Sequence, residues 1–167
     1  MSASGPGSLR RLGPSLLVAA LVVAVDQLTK WWAVNALSDR TIHVVGSLQL
    51  NLTFNSGMAF SQGSGLGPVI AVIALVVVVS LLVSLRQEGS SLSVVAVGMV
   101  IGGATSNVAD RLLRSGGDGF LQGAVVDFVD FQWWPVFNMA DVAITVGGAL
   151  LLLSAFRAGR RAPTAPT

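Results

Sequence analysis

SLLVAALVVAVDQLTKWWAVNA, residues 15–36, is the stretch on which the fold turns. From Leu16 to Val25 every side chain is apolar, yet Asp26 and Lys30 follow one helical turn apart, and Trp31-Trp32 comes directly after them. A hydrocarbon core about 30 Å thick takes roughly 20 helical residues to cross, and this segment has 22. Three further stretches share its character: Gly67 to Leu85, Leu92 to Leu113 and Asn138 to Phe156. Inside lipid the backbone must satisfy its own hydrogen bonds, so these spans are expected to be helical in spite of their many valines. The expected fold class is all-α integral membrane: four transmembrane helices with a small extracytoplasmic β-sheet element, in a single membrane domain over residues 1–167.

Composition agrees. The chain is 53% hydrophobic and 11% charged, against about 45–50% and about 25% in soluble domains. A soluble protein of this size cannot bury that much apolar surface, so lipid supplies the missing solvent. The formal net charge of +2 arises from ten basic residues scattered singly or in pairs. That placement suits membrane orientation rather than a phosphate-binding face, and no nucleic-acid partner is expected. With no cysteine, the chain has no disulfide, thiol nucleophile or thiolate ligand. His43 stands alone in a polar stretch without the partners a metal site needs, so neither metal nor cofactor is expected. Arg10-Arg11 before an apolar run resembles the start of a signal peptide, but no small-x-small cleavage site follows, and a retained first helix is expected.

Four crossings place both termini on one face. If that face is cytoplasmic it carries Arg10, Arg11, Arg86, Arg157, Arg160 and Arg161, in keeping with the positive-inside bias, while Lys30, Arg40, Arg111 and Arg114 fall outside. Seven of the eight acidic residues, Asp26, Asp39, Asp110, Asp118, Asp127, Asp130 and Asp141, lie in the outer half, leaving Glu88 inside. The pairs Trp31-Trp32 and Trp133-Trp134 map to the outer boundary, where amphipathic rings settle. Any chemistry is expected at the outer face of a bacterial cytoplasmic membrane.

The outer loops carry strand patterns. Leu48, Leu50, Leu52 and Phe54 alternate with Gln49, Asn51, Thr53 and Asn55, a half-buried β-strand, and Val125 to Phe131 is a second strand-like stretch. The two are expected to form a small sheet on the membrane surface. Gly63, Gly65, Gly67 and Pro68 mark the turn into the second span. Residues 1–8 and 162–167, rich in Ser, Gly, Pro and Thr, are expected to be disordered tails.

Ionisable and amide groups at membrane depth are costly and point to function. They concentrate in Asp26-Gln-Leu-Thr-Lys30, Asn55-Ser-Gly-Met-Ala-Phe60, Asn107-Val-Ala-Asp110-Arg111, Val125-Val-Asp127-Phe128 and Phe137-Asn138-Met-Ala-Asp141. In this order the segments resemble the motifs of lipoprotein signal peptidases: D-Q-x-x-K, N-x-G-x-A-F, G-G-A-x-x-N-x-x-D-R, V-V-D-F and F-N-x-A-D. The resemblance runs from about residue 15 to 156. The chain departs from the family pattern at Ser106, where many members have glycine, and at Met58, where alanine is common. Its interval from Arg111 to Asp127 is long and that from Asp127 to Asp141 short.

The resemblance implies a membrane aspartic endopeptidase that removes signal peptides from diacylglyceryl-modified prolipoproteins, cutting N-terminal to the lipidated cysteine without metal or cofactor. Its partners would be those prolipoproteins and membrane lipid. It places the catalytic pair on Asp127 and Asp141, with Asn55, Gly57, Asn107, Arg111 and Asn138 lining the pocket and holding the substrate backbone. Asp26 and Asp110 would support the site.

Read from the residues alone, alternatives stand beside each role. A carboxylate pair sharing one site splits its titrations, giving the one ionised and one protonated group that peptide hydrolysis needs. Asp141, three residues after Asn138, could equally be a first-turn dipole partner behind an Asn138 N-cap. Asp127 could be an outward-facing strand residue. Asp110 is the rival member of the pair, although Arg111 beside it and Arg114 one turn on favour a salt bridge. Arg111 could instead serve Asp110 or a lipid headgroup. Asp26 and Lys30, four apart, read as an i,i+4 ion pair. As a different class of function, intramembrane acids also build the relays of proton- or cation-coupled transporters, but here they cluster at one face and no charged route crosses the membrane. A non-catalytic scaffold would leave the acids purely structural.

Overall fold

The computed structural model describes residues 6–57, 67–84, 90–116 and 119–160. Along the chain run α1 (Pro6–Ala36), β1 (Ile42–Val45), β2 (Leu48–Asn55), α2 (Gly67–Ser84), α3 (Ser91–Leu113), β3 (Val125–Asp130) and α4 (Met139–Gly159). The expectations for Met58, Gly63, Gly65, Arg86, Glu88, Asp118 and the C-terminal tail lie outside the described residues.

Three helices are long and apolar enough to cross a membrane: Leu12–Ala36, Ser91–Leu113 and Met139–Arg157. The fourth expected span is a shorter apolar helix, Pro68–Leu81 within α2, so the count of four rests on a helix at the lower limit of length. The N-terminal expectation needs correction as well, because α1 begins at Pro6, inside the stretch read as a disordered tail.

Helix α3 is the centre of the bundle. Half of its apolar window is buried, against 17% for α1 and for α4. Between helices in lipid, packing depends on close backbone approach, which small residues permit. Gly102 and Gly103 supply it on two faces. A Cβ on Gly102 would lie 2.7 Å from the Ala19 carbonyl oxygen of α1, and one on Gly103 would lie 2.5 Å from the Ala140 carbonyl oxygen of α4. Ser90 starts α3 through a capping box with Ser93, satisfying N–H groups the helix itself cannot.

The expected sheet is present with one additional strand. Its order is β1-β2-β3, antiparallel throughout, with β2 central. Strand β1 turns into β2 through Gly46, whose φ of 56° lies in the left-handed region that glycine enters without strain. The alternation in β2 holds only in part. Leu50 and Leu52 pack with Ala33, Leu37, Val126 and Phe128, but Phe54 is 55% exposed. A register shift also falls between Leu50 and Thr53, and such an irregularity resets which side chains oppose one another. Trp32 meets the ring of Phe128 edge-on with centroids 6.3 Å apart, so it anchors the sheet to α1, while Trp31 stays 66% exposed.

The unusual intervals now have a structural reason. After Leu113 the chain folds back over the end of α3, where the Gly123 N–H donates to the Arg111 carbonyl at 3.0 Å. After β3 it returns at once, with Phe137 bridging to Val129 through hydrogen bonds of 2.9 and 3.1 Å. The long interval is used in covering α3, and the short one suffices because α4 starts beside β3.

Candidate active site

Five elements, α1, β2, α3, β3 and α4, deliver the polar residues to one end of the bundle. From α1 come Asp26 and Lys30, both with no exposed surface. The Lys30 ammonium lies 2.7 Å from Asp26 Oδ2 and 2.8 Å from Asp110 Oδ2, and donates to Asn107 Oδ1 at 2.8 Å. The i,i+4 pair expected between Asp26 and Lys30 is therefore present, and it is fully buried within the protein. Asp26 also reaches α4 and α3, accepting from the Ala140 N–H at 2.8 Å and from Ser106 Oγ at 2.7 Å. Ser106, a departure from the family pattern, thus holds a buried carboxylate.

Asp110 is fully engaged. Besides Lys30 it accepts from Gln27 Nε2 at 3.0 Å, from Arg114 Nε at 2.9 Å and from the Val126 N–H at 3.4 Å. Its salt-bridge partners are Lys30 and Arg114, and not the adjacent Arg111. Arg111 is buried on the other side, and its Nη1 is the single buried side-chain nitrogen or oxygen without a hydrogen-bond partner among the described residues.

Asp127, from β3, is 3% exposed. Its Oδ1 accepts from Asn138 Nδ2 at 2.6 Å and its Oδ2 from Asn55 Nδ2 at 3.0 Å. Asn55 is aimed by its own backbone, because its Oδ1 accepts the Gly57 N–H at 2.9 Å; Gly57 has φ 114°, a conformation open to glycine. Burial, reinforced by the negative charge of Asp141, pushes the Asp127 carboxyl up to about 7 against the pull of the Asn55 and Asn138 amides. Asp130, three residues on, goes the other way: the Gln49 amide, with the Gln132 N–H, holds it below the usual carboxylate range.

Asp141 opens α4. Asn138 Oδ1 accepts the Asp141 N–H at 3.0 Å, and Asp141 Oδ2 accepts the Asn138 N–H at 3.1 Å. This reciprocal cap is the bland reading of the pair, and it coexists with a further contact from Asn107 Nδ2 to Asp141 Oδ1 at 2.9 Å. Asn138 also donates to Asn107 Oδ1 at 3.2 Å, so one chain of amides links both aspartates.

Asp127 and Asp141 face the same cavity of about 190 Å³, together with Asn55, Gly57, Asn107 and Arg111. Asp127 also opens onto a cleft of about 740 Å³ bounded by Thr53, Trp133 and Trp134, and Asp141 onto an apolar recess of about 270 Å³ formed by Trp134, Phe137, Val142 and Val146. Of the residues singled out by sequence, Asn55, Gly57, Asn107, Arg111, Asp127 and Asp141 line the shared cavity, and Asn138 bonds to both aspartates behind it. Asp26 and Asp110 lie one layer further in. Lys30, Gln27 and Ser106 were missed as members of this network. Lys30 was visible as a charge four residues from Asp26, but its reach to α3 was not.

Residues 18–157 match the family model described as signal peptidase (SPase) II. The chain is 43% identical over 146 residues to the lipoprotein signal peptidase of Mycobacterium avium, covering 86% of this chain and 79% of that one. It is 41% identical over 147 residues to the protein of the same name from Mycolicibacterium smegmatis, covering 87% of this chain but 61% of that longer relative. Two solved structures described as bacterial membrane enzymes superpose with TM-scores of 0.74 and 0.70 at 25% and 27% identity. They cover 93% and 86% of this chain, and 95% and 92% of their own.

Proposed function

The chain belongs to the signal peptidase II family, and from that premise we propose that it is a multi-pass membrane aspartic endopeptidase that removes signal peptides from diacylglyceryl-modified prolipoproteins. The observation that carries this reading is the pair Asp127 and Asp141 on one small cavity that Arg111 also lines, its Nη1 without a hydrogen-bond partner among the described residues.

In this reading the two aspartates divide the work. Asp127, pushed up to about 7, keeps its proton near neutrality and donates it to the scissile carbonyl oxygen. Asp141 is the ionised member, held by the Asn107 amide and by the Asn138 N–H at the start of α4, where the helix dipole favours negative charge. It takes a proton from water as the water oxygen attacks the carbonyl carbon. The tetrahedral intermediate collapses when that proton passes from Asp141 to the leaving nitrogen and the C–N bond N-terminal to the lipidated cysteine breaks, while one hydroxyl of the intermediate returns its proton to Asp127 as the carbonyl re-forms. Arg111 Nη1 and the pocket amides hold the substrate backbone. Asp110, tied to Lys30 and Arg114, stays outside the reaction as support, and Asp26 does the same.

In this reading helix α2, with 18 residues and a rise of about 27 Å, serves as the fourth span, so both termini share one face of a single membrane domain; the positive-inside bias makes that face cytoplasmic and puts the aspartates near the outer one. The apolar recess beside Asp141, lined by Trp134, Phe137, Val142 and Val146, suits the acyl chains. A coupled transporter is disfavoured because the acidic groups of the spans, Asp26, Asp110 and Asp141, gather with Lys30 and Arg111 at one end of the bundle.

The test is cleavage of a diacylglyceryl-modified prolipoprotein by purified protein in detergent, comparing the parent with Asp127→Asn, Asp141→Asn and Asp110→Asn. Loss of cleavage in the first two with the fold intact, and lesser damage in the third, is expected. Retained cleavage in Asp127→Asn with loss in Asp110→Asn would move the pair to Asp110. No cleavage by the folded parent defeats the activity itself.

A further inference from the structure

Lys30 is a cation with no exposed surface whose contacts are all inside the protein. An ammonium has three N–H donors and no acceptor, and here Asp26 Oδ2, Asp110 Oδ2 and Asn107 Oδ1 lie at 2.7, 2.8 and 2.8 Å. The first two contacts balance charge. The third does something a charge balance does not require. A carboxamide has one accepting and one donating end, and a group that can only donate compels Asn107 to present its oxygen. The donating end must then point away, and it points at Asp141 Oδ1, 2.9 Å distant. Asn138 obeys the same polarity, because Asn107 Oδ1 also accepts its Nδ2 at 3.2 Å while that nitrogen donates to Asp127 Oδ1 at 2.6 Å.

We infer that Lys30 is a positioning residue of the reaction: its ammonium fixes the direction of the Asn107 amide, and through it the hydrogen bond that holds the Asp141 carboxylate toward the cavity. This inference rests on the proposed peptidase activity. With no donor at position 30, Asn107 Oδ1 keeps only the longer 3.2 Å contact from Asn138 Nδ2, whose nitrogen is shared with Asp127, and the amide loses its close anchor and its fixed aim at Asp141 in a buried site, where an unmade hydrogen bond is most costly. The effect falls mainly on the chemical step, because Lys30 itself lies outside the shared cavity and the amide it directs has its nitrogen engaged with Asp141 and its oxygen with Lys30 and Asn138.

Removing Lys30 alone would also strand the Asp26 and Asp110 charges, which is destabilising whatever the role of the lysine. The discriminating comparison is therefore between two charge-matched pairs, Lys30→Gln with Asp110→Asn and Lys30→Met with Asp110→Asn. Both lose the cation and one carboxylate, but only glutamine retains an N–H for Asn107. Thermal melting and steady-state cleavage of a diacylglyceryl-modified prolipopeptide would be followed in detergent, beginning with the parent, whose failure to cleave would defeat the activity and not this assignment. At equal melting temperatures the methionine pair is expected to show kcat about 100-fold below the glutamine pair, the scale of one lost donor at a reacting centre, with KM within about threefold. Equal kcat in the two pairs, or a difference confined to KM, overturns the assignment and leaves Lys30 as a counter-ion. If neither pair folds, Lys30→Arg decides, since it keeps both charge and donors. kcat within about tenfold of the parent is then expected, and a folded Lys30→Arg chain losing about 100-fold in kcat at unchanged KM overturns the proposal.

Discussion

At one end of the bundle Asp26, Lys30, Asn107, Asp110 and Asp141 are joined by contacts of 2.7 to 2.9 Å, most of them between different helices. At the other end Ser90, Ser93 and Ser154 share hydroxyl hydrogen bonds of 3.0 to 3.1 Å, and Ser15 Oγ donates to the Val94 carbonyl at 2.9 Å. Both ends hold α3 to its neighbours, but they differ in what a substitution leaves behind. A hydroxyl removed from the serine end leaves neutral partners that water or a rotated hydroxyl can satisfy. A group removed from the charged end leaves a buried ion or a misdirected amide, and such losses are several times more damaging. The bundle thus confines its least replaceable groups to the end where the cavity lies, and secures the rest with small residues and neutral hydrogen bonds.

Four measurements would break or sharpen that contrast. The largest effect is expected at the aspartates: Asp127→Asn and Asp141→Asn should each lower kcat by about 10³-fold or more in a cleavage assay. Asp127→Asn should do so while melting higher than the parent at pH 8. The sign follows from the raised folded-state value of about 7: the folded parent retains this proton where the unfolded chain has released it, so its stability falls as pH rises from about 4 to about 7. The melting difference should accordingly shrink toward pH 4. Next, kcat/KM of the parent should decline about tenfold per pH unit above about 7, as Asp127 loses the proton it must donate; a profile flat to pH 9 would remove Asp127 from the acid role. In the packed middle of the bundle, Gly102→Val should cost about 3 kcal/mol or more by chemical or thermal denaturation, with kcat per folded molecule unchanged. At the serine end, Ser154→Ala should cost about 1 kcal/mol or less and leave cleavage intact. An effect there as large as at Gly102 would contradict the contrast.

The sequence was most informative where one period dominated. The span ending at Ala36, the strand from Leu48 to Asn55 and the start of α4 near Asn138 were legible because apolar runs and alternation are local properties. Strand β1 was not, since Ile42–Val45 is four residues long and acquires its pairing only from β2. The register shift between Leu50 and Thr53 was equally hidden, as was the exposure of Phe54. Among the site residues, motif order was enough to single out Asn55, Asn107, Asp127, Asn138 and Asp141. What it could not supply was direction. That Asp110 would turn to Lys30 and Arg114 instead of Arg111, or that Asn107 would give its oxygen to one partner and its nitrogen to another, depends on three helices meeting within hydrogen-bond distance. No spacing within one helix encodes that meeting.

The reciprocal cap between Asn138 and Asp141 bears on how such a site could evade an inhibitor. Asn138 starts a membrane helix, donates to one aspartate and is bonded through its backbone to the other. A compound that gains its affinity by contacting Asn138 and Asp141 binds atoms that start α4 and that, in the proposed mechanism, also serve catalysis. A substitution that weakened such a compound would unravel the first turn of α4 and disarm the enzyme in the same step. Escape would have to come from the rim, around Trp133, Trp134 and Phe54, where side chains are exposed and replaceable. Inhibitors that stay within the amide-lined cavity would therefore select for resistance more slowly than those that lean on its rim.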